Sequence, residues 1–284
     1  IFRSQSDTEV VVNLYEEFGL EFVRKLRGMF AFAIYDQKQR RLILARDHIG
    51  KKPLYYCLKN NGNLVFASEI KSILEYPGIR RDVDPEALDF FLTLEYVPAP
   101  YSILAAVKKL PAGHMLVYEN GKAAISEYWD VQPGGSRRGF SAAREEFLAL
   151  LEESVRMRMI SDVPLGAFLS GGIDSSAIVA AMAKISAIPI KTFSIGFEEK
   201  SYSELPYSRL VAAKFKTDHQ EKILSADIHS LVMQLAANLD EPLGDFSNFP
   251  TYLVSRLARE KVTVALSGDG GDEIFGGYEH YLAQ

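Results

Sequence analysis

Cysteine is nearly absent. Cys57 is the only one in 284 residues, so no disulfide can close within the chain and nothing points to an oxidising compartment. Long apolar runs are missing as well: no stretch approaches the roughly 18 apolar residues of a membrane span. Residues 1–7 have none of the features of a signal peptide. No charge sign dominates, with 32 Lys+Arg against 37 Asp+Glu and a net charge of -5. That balance leaves no electrostatic footprint for a nucleic acid or an anionic membrane. The histidines (His48, His114, His219, His229 and His280) are scattered without metal-ligand spacing, so no zinc site is expected. Internal repeats and low-complexity tracts are lacking too. What remains is the composition of a soluble globular protein, 48% hydrophobic and 24% charged, long enough for two ordinary domains. A cytoplasmic location is the default expectation. A start at Ile1 and an end at Gln284 soon after a motif are expected of a piece of something longer.

The first part reads as mixed α and β. Ser6 followed by Glu9 fits a capping box, with Val11, Leu14, Tyr15 and Phe18 then at helical spacing. Short apolar runs at 29–35, 41–45, 53–58 and 64–67 suit strands. Asn61-Gly62 and Asn120-Gly121 mark hairpins, because both turn positions favour positive φ. Asp84-Pro85-Glu86 predicts a helix start, with Leu88, Phe91 and Leu92 on one face. A strand-rich domain over 1–130 thus precedes a linker over 131–141, where periodicity vanishes between Gln132 and Phe140.

From 142 to 284 the rhythm changes. Helices are expected at 142–159 (Phe147, Leu150, Leu151 and Val155 together), 175–185, 207–214, 229–238 and 251–260. Strands are expected at 163–169, 191–197, 221–224 and 262–266. Strands alternating with helices predict a parallel sheet covered on both faces. The fold class is therefore α+β followed by doubly wound α/β.

Two loops carry the chemistry. Ser170-Gly171-Gly172-Ile173-Asp174-Ser175-Ser176 follows an apolar strand and opens an apolar helix. A helix N-terminus there presents unpaired N–H groups and a positive dipole end, which suits phosphate oxygens. It is not a Walker A loop, since no Gly-Lys-Ser/Thr is present. Ser267-Gly268-Asp269-Gly270-Gly271-Asp272-Glu273 follows the last short strand and runs into Ile274-Phe275-Gly276-Gly277-Tyr278. Ligands of open α/β sheets bind at the carboxyl ends of strands, so both loops can line one pocket. A carboxylate alone would repel phosphate; Mg²⁺ shared by Asp174 and Asp272 resolves the conflict. A calcium loop would need Glu at its twelfth position, where counting from Asp269 gives His280.

These residues resemble the glutamine-dependent asparagine synthetase family. Residues 170–176 are similar to its ATP pyrophosphatase loop and residues 267–278 to its second signature. Residues 29–33 (Met-Phe-Ala-Phe-Ala), 46–56 (from Arg46-Asp47-His48 to Tyr55-Tyr56) and Ser6-Asp7 resemble the later half of an N-terminal-nucleophile glutaminase domain. The resemblance covers essentially the whole chain. It implies a carbon–nitrogen ligase of asparagine biosynthesis. ATP and aspartate form an acyl-adenylate and pyrophosphate, and ammonia from glutamine attacks the adenylate. By the same resemblance Ser170, Gly171, Gly172, Ser175, Ser176, Ser267 and Gly268 contact the nucleotide, and Phe168 and Ile195 meet the adenosine. Asp174 and Asp272 hold Mg²⁺, Asp7 binds the α-amino group of glutamine, and the family leaves room for a homodimer. Asp269 stands where the family often has Glu, at a position linked to adenylate formation.

The chain departs from that pattern at its start. The glutaminase needs an N-terminal cysteine, whereas residue 1 is Ile1 and Cys57 falls in a predicted strand. The upstream glutamine-binding Arg and Asn-Gly segments and the distal synthetase region are also absent from it. Glutamine hydrolysis by this chain alone is therefore not expected. Arg46, Asp47 and Lys51 have a second reading as fold-supporting charges. Other carboxylates, as in β-lactam-forming, peptide-cyclising and sugar-modifying relatives, remain alternatives, as does a non-catalytic ATP-binding module.

Overall fold

The structure, a computed structural model, describes residues 2–132, 134–135, 139–198, 203–224 and 228–282. The chain folds as two units: Ile1–Gly134 with Gln234–Asp245, and Gly135–Met233 with Phe246–Gln284.

The first unit contains α1 (Asp7–Phe18), a 3₁₀ turn (Gly19–Lys25), β1 (Ala31–Asp36), β2 (Arg41–Arg46), β3 (Tyr55–Leu58), β4 (Leu64–Ala67), α2 (Ile70–Leu74), α3 (Pro85–Leu94), β5 (Lys108–Lys109), β6 (His114–Glu119) and β7 (Lys122–Glu127). Its strands form two antiparallel sheets, β1-β2-β6-β7 and β4-β3-β5. The period-2 pattern of β2 decides how they are layered. Ile43 and Ala45 face Phe22, Val23, Met115 and Tyr128, with α1 residues Val11, Leu14 and Tyr15 packed alongside. Leu44 points the other way, into Leu54, Leu110 and Leu116, with Tyr56 and Leu64 of the second sheet against them. Each fully buried leucine of this kind contributes about 1.5–3 kcal/mol.

Local details differ from the sequence expectation. Ser6 caps α1 by accepting from the Thr8 N–H at 3.2 Å. Glu9 does not complete a capping box, because its carboxylate binds the N–H groups of Arg3 (2.7 Å) and Ser4 (2.6 Å) instead. At Asn120-Gly121 both residues have positive φ (52° and 76°), joining β6 to β7 as predicted. Between β3 and β4 only Gly62 does (83°), closing a turn in which its N–H donates to the Lys59 carbonyl. On α3 the buried residue is Ala87, while Leu88 and Leu92 are exposed. The expected apolar face of that helix is therefore not its packed face.

The second unit contains α4 (Phe140–Arg158), β8 (Leu165–Phe168), α5 (Ile173–Ile185), β9 (Lys191–Phe197), α6 (Leu205–Phe215), β10 (Asp218–Leu224), α7 (Ile228–Asn238, shared with the first unit from Gln234), α8 (Asn248–Arg259), β11 (Val264–Leu266) and α9 (Gly271–Phe275). Its sheet is parallel throughout, in the order β10-β9-β8-β11. Helices cover both faces. Ala167 and Leu169 pack with Val155 of α4, Val179 and Met182 of α5 and Ala212 of α6. Phe168, Phe193 and Ile195 pack with Val254, Leu257 and Ala258 of α8. On α4, Val155 is buried and Leu151 half-buried, but Leu150 is exposed, off the face predicted for it. Part of the predicted linker, Pro133 and residues 136–138, lies outside the described residues.

Candidate nucleotide site

Strand order positions the site. From β8 the chain moves outward to β9 and β10, then returns to lay β11 on the other side of β8. β8 and β11 are therefore parallel neighbours whose carboxyl ends lie side by side, the place where ligands of open α/β sheets bind. The two glycine-rich loops occupy that place.

The first loop is held by its own hydroxyls. Ser170 Oγ accepts from the Gly172 N–H (3.1 Å) and lies 2.9 Å from Ser175 Oγ, which in turn reaches the Gly172 carbonyl (3.3 Å). Ser175 is buried and thus engaged within the loop. Ser176 Oγ is the opposite case: buried, with no hydrogen-bond partner. Gly171 has φ +92, and a Cβ there would meet the Ser208 backbone nitrogen at 2.6 Å, so α6 abuts the loop. Gly172 caps α5 with no side chain bonded across its first turn, which leaves the helix end able to receive an anion.

The second loop is pressed onto the first. A Cβ on Gly268 would lie 2.7 Å from the Ser175 backbone nitrogen, and one on Gly271 within 2.6 Å of both Asp174 carboxylate oxygens. Only glycine permits this approach. Burial, then the charges of Asp272 and Glu273, hold the Asp174 carboxyl above its ordinary range. Asp269 accepts from Ser267 Oγ at 2.8 Å. Asp272 is wrapped by Gly277, whose N–H donates to its carbonyl (2.9 Å). Phe275 of α9 packs edge-on against Phe147 of α4, centroids 4.9 Å apart, which anchors the short helix after the loop.

The structure thus brings together Ser170, Gly171, Gly172, Asp174, Ser175, Ser176, Gly268 and Asp272. Phe168 and Ile195 share the patch under α8. Phe168 also lines a cavity of about 580 Å³ with α8 and β11 residues, from Tyr252 to Ala265; none of the loop residues lines it. Asp7 belongs to the other unit, exposed in the first turn of α1. Sequence reasoning gave no role to Glu273, which joins the carboxylate group and accepts from the Tyr278 hydroxyl at 2.9 Å. That bond pushes Tyr278 up to about 12. Its adjacency to Asp272 was the available signal.

A divalent cation fits these residues. Asp174 is crowded by like charge, and the missing Cβ of Gly271 lets its carboxyl seat against the second loop. Among the described residues no group of three or more His, Cys, Asp or Glu side chains could hold a metal. Two carboxylates would suit a hard divalent cation such as Mg²⁺, which takes one or two carboxylates and completes its shell with water and phosphate oxygens.

In the first unit, Arg46 and Asp47 resolve in favour of the fold. Asp47 is buried and accepts from the N–H groups of Phe30, Lys51 and Lys52. Arg46 donates to the carbonyls of Lys52, Leu110 and Gly50.

A parallel sheet covered on both faces, with two glycine-rich loops at its switch point, defines the second unit as a doubly wound α/β unit. Comparison with known proteins names it further. The family model for asparagine synthase matches residues 146–284, and that for a glutamine amidotransferase domain matches residues 1–129. A Methanocaldococcus jannaschii protein classed as a glutamine-hydrolysing asparagine synthetase is 41% identical over 283 residues, covering 98% of this chain and 55% of its own length. Asparagine synthetase [glutamine-hydrolyzing] 1 of Bacillus subtilis is 38% identical, covering 99% and 44%. The chain belongs to the glutamine-hydrolysing asparagine synthetase family. It spans about half the length of these relatives.

Proposed function

We propose that the protein to which this chain belongs amidates aspartate to asparagine, using ATP and ammonia derived from glutamine. The observation that carries this reading is the convergence of two glycine-rich loops and a crowded carboxylate group at the carboxyl ends of adjacent strands β8 and β11. A carboxylate is a poor acyl donor, and adenylation gives it a good leaving group. The α5 N-terminus and the loop N–H groups stabilise charge developing on the departing pyrophosphate. The unpartnered Ser176 hydroxyl donates to a phosphate oxygen. Ser170, Gly171, Gly172 and Ser175 shape the cradle, and Ser267 and Gly268 border the nucleotide. Phe168 and Ile195 flank the adenosine.

Asp174 and Asp272 hold Mg²⁺, which when bound neutralises the phosphate charge that the two acids would otherwise repel. Asp269, exposed at the rim and steadied by Ser267, assists adenylate formation. In the first unit Asp7 receives the α-amino group of glutamine. Cys57 is not the attacking thiol: it is buried in β3, and burial pushes its thiol above the ordinary range. The glutamine step is assigned to the full-length protein, read here as a cytoplasmic homodimer.

The test is exchange of labelled pyrophosphate into ATP by the full-length gene product with a panel of carboxylic acids. Exchange that depends on aspartate is the expected result. Exchange with another acid only would move the substrate assignment, and nucleotide binding without exchange would leave a binding module in its place.

A further inference from the structure

Gln234–Asp245 stands in the sequence between parts of the second unit, yet it folds with the first. Its grip there is built from polar contacts. Asp240 accepts from the Ile70 N–H at the start of α2 (2.7 Å), and Lys71 Nζ donates to the Asn238 carbonyl (3.1 Å). Glu241 accepts from the Ile103 N–H (2.8 Å) and pairs with Lys109 Nζ at 2.6 Å; these two side chains are only 12% and 14% exposed. The Gly244 N–H donates to the Glu95 carbonyl at 2.8 Å, and a Cβ on Gly244 would come within 2.7 Å of Glu95 Cβ.

A buried ion pair is weak evidence for stability, since well-packed apolar side chains serve as well; its best-attested use is to fix register. Here the register it fixes is that of the chain entering α8. That helix begins at Asn248, packs through Leu257 and Ala258 onto Phe193 and Val262, and leads directly to β11 and the loop bearing Asp269 and Asp272. The strap joins that helix covalently through residues 245–247, so its position bears on the chain that carries the second loop.

We propose that residues 239–245 form a coupling strap, with Lys109 and Glu241 as positioning residues for the glutamine-fed reaction. The inference rests on the function proposed above. The strap ties the state of the first unit to the chain that carries the second loop. Free ammonium bypasses the need for that tie; glutamine does not.

Three rates test it in the full-length protein: pyrophosphate release with ammonium, pyrophosphate release with glutamine, and glutamate formation. The variants are Glu241→Gln and the double apolar replacement Lys109→Met with Glu241→Leu, which removes the pair without stranding a charge. Ammonium-driven release is expected to stay within about twofold of the parent while glutamine-driven release falls about tenfold. Glutamate formed per pyrophosphate then rises. Equal loss with both nitrogen sources would mark a merely structural pair and overturn the inference. So would unchanged glutamine-driven release in a variant whose Ile70 and Ile103 amides have lost exchange protection. A parent that uses neither nitrogen source would overturn the proposed function, and the parent rates alone identify that case.

Discussion

The two units treat charge in opposite ways. In the first, buried charges are answered: Asp47 by three backbone N–H groups, Arg46 by three carbonyls, Glu241 by Lys109 and the Ile103 N–H. In the second, Asp174 faces Asp272 and Glu273, and Ser176 Oγ has no partner. A satisfied buried charge serves the fold, because leaving it unpaired would cost far more than its presence gains. A carboxylate held beside like charges lowers stability and is retained where a ligand relieves it. Motif spelling alone does not make this distinction, since Arg46-Asp47 and Asp272-Glu273 are equally charged pairs in the sequence.

The largest effect separating the units is expected from Asp47→Ala. It strands three N–H groups and should lower unfolding free energy by about 3–4 kcal/mol without changing nucleotide affinity. Urea melts beside nucleotide titrations measure both, and a loss under about 1 kcal/mol would place Asp47 with the dispensable charges. Asp272→Asn should do the reverse: aspartate-dependent exchange falls about 100-fold, or roughly 2.7 kcal/mol, with the melt nearly unchanged. Retained exchange would remove Asp272 from the cation site.

Gly268→Ala tests the contact between the loops. Its Cβ would crowd the Ser175 nitrogen at 2.7 Å and the Asp174 Cβ at 2.9 Å, so exchange should fall about tenfold. A full-rate variant would mean that the loops need not meet.

The smallest effect concerns Asp174. Its folded-state pKa is raised from 3.8 by burial and then by Asp272 and Glu273. The protonated form is thus favoured in the fold. Its contribution to stability is full below 3.8 and is lost as pH rises through the raised value. Asp174→Asn should therefore stabilise the ligand-free protein at neutral pH by a few tenths of a kcal/mol and flatten its stability profile across that window. The same variant should lose cation-dependent exchange. A destabilised Asn variant at neutral pH would contradict the frustrated cluster.

Much of this was legible in the residues. The short apolar run of β2, the Asn120-Gly121 turn, the Asp84-Pro85 helix start and both glycine-rich loops depend on neighbours a few positions apart, and each formed where the pattern indicated. Misreadings also had local causes. Glu9 took its donors from Arg3 and Ser4, and Leu88 and Leu92 of α3 were left exposed while Ala87 was buried. For Arg46 and Asp47 the residues allowed two readings, and only the partners chose between them.

Sequence by itself determined the local vocabulary: which segments turn, cap, extend or approach a phosphate, because φ preferences and side-chain period act over a few residues. The tertiary structure decided what shares space. Strand order set β11 beside β8 and so brought Asp174 against Gly268 and Gly271. Long-range packing also drew Gln234–Asp245 into the first unit. Proximity between distant segments is set by how sheets and helices bury their apolar faces, and no local pattern encodes it.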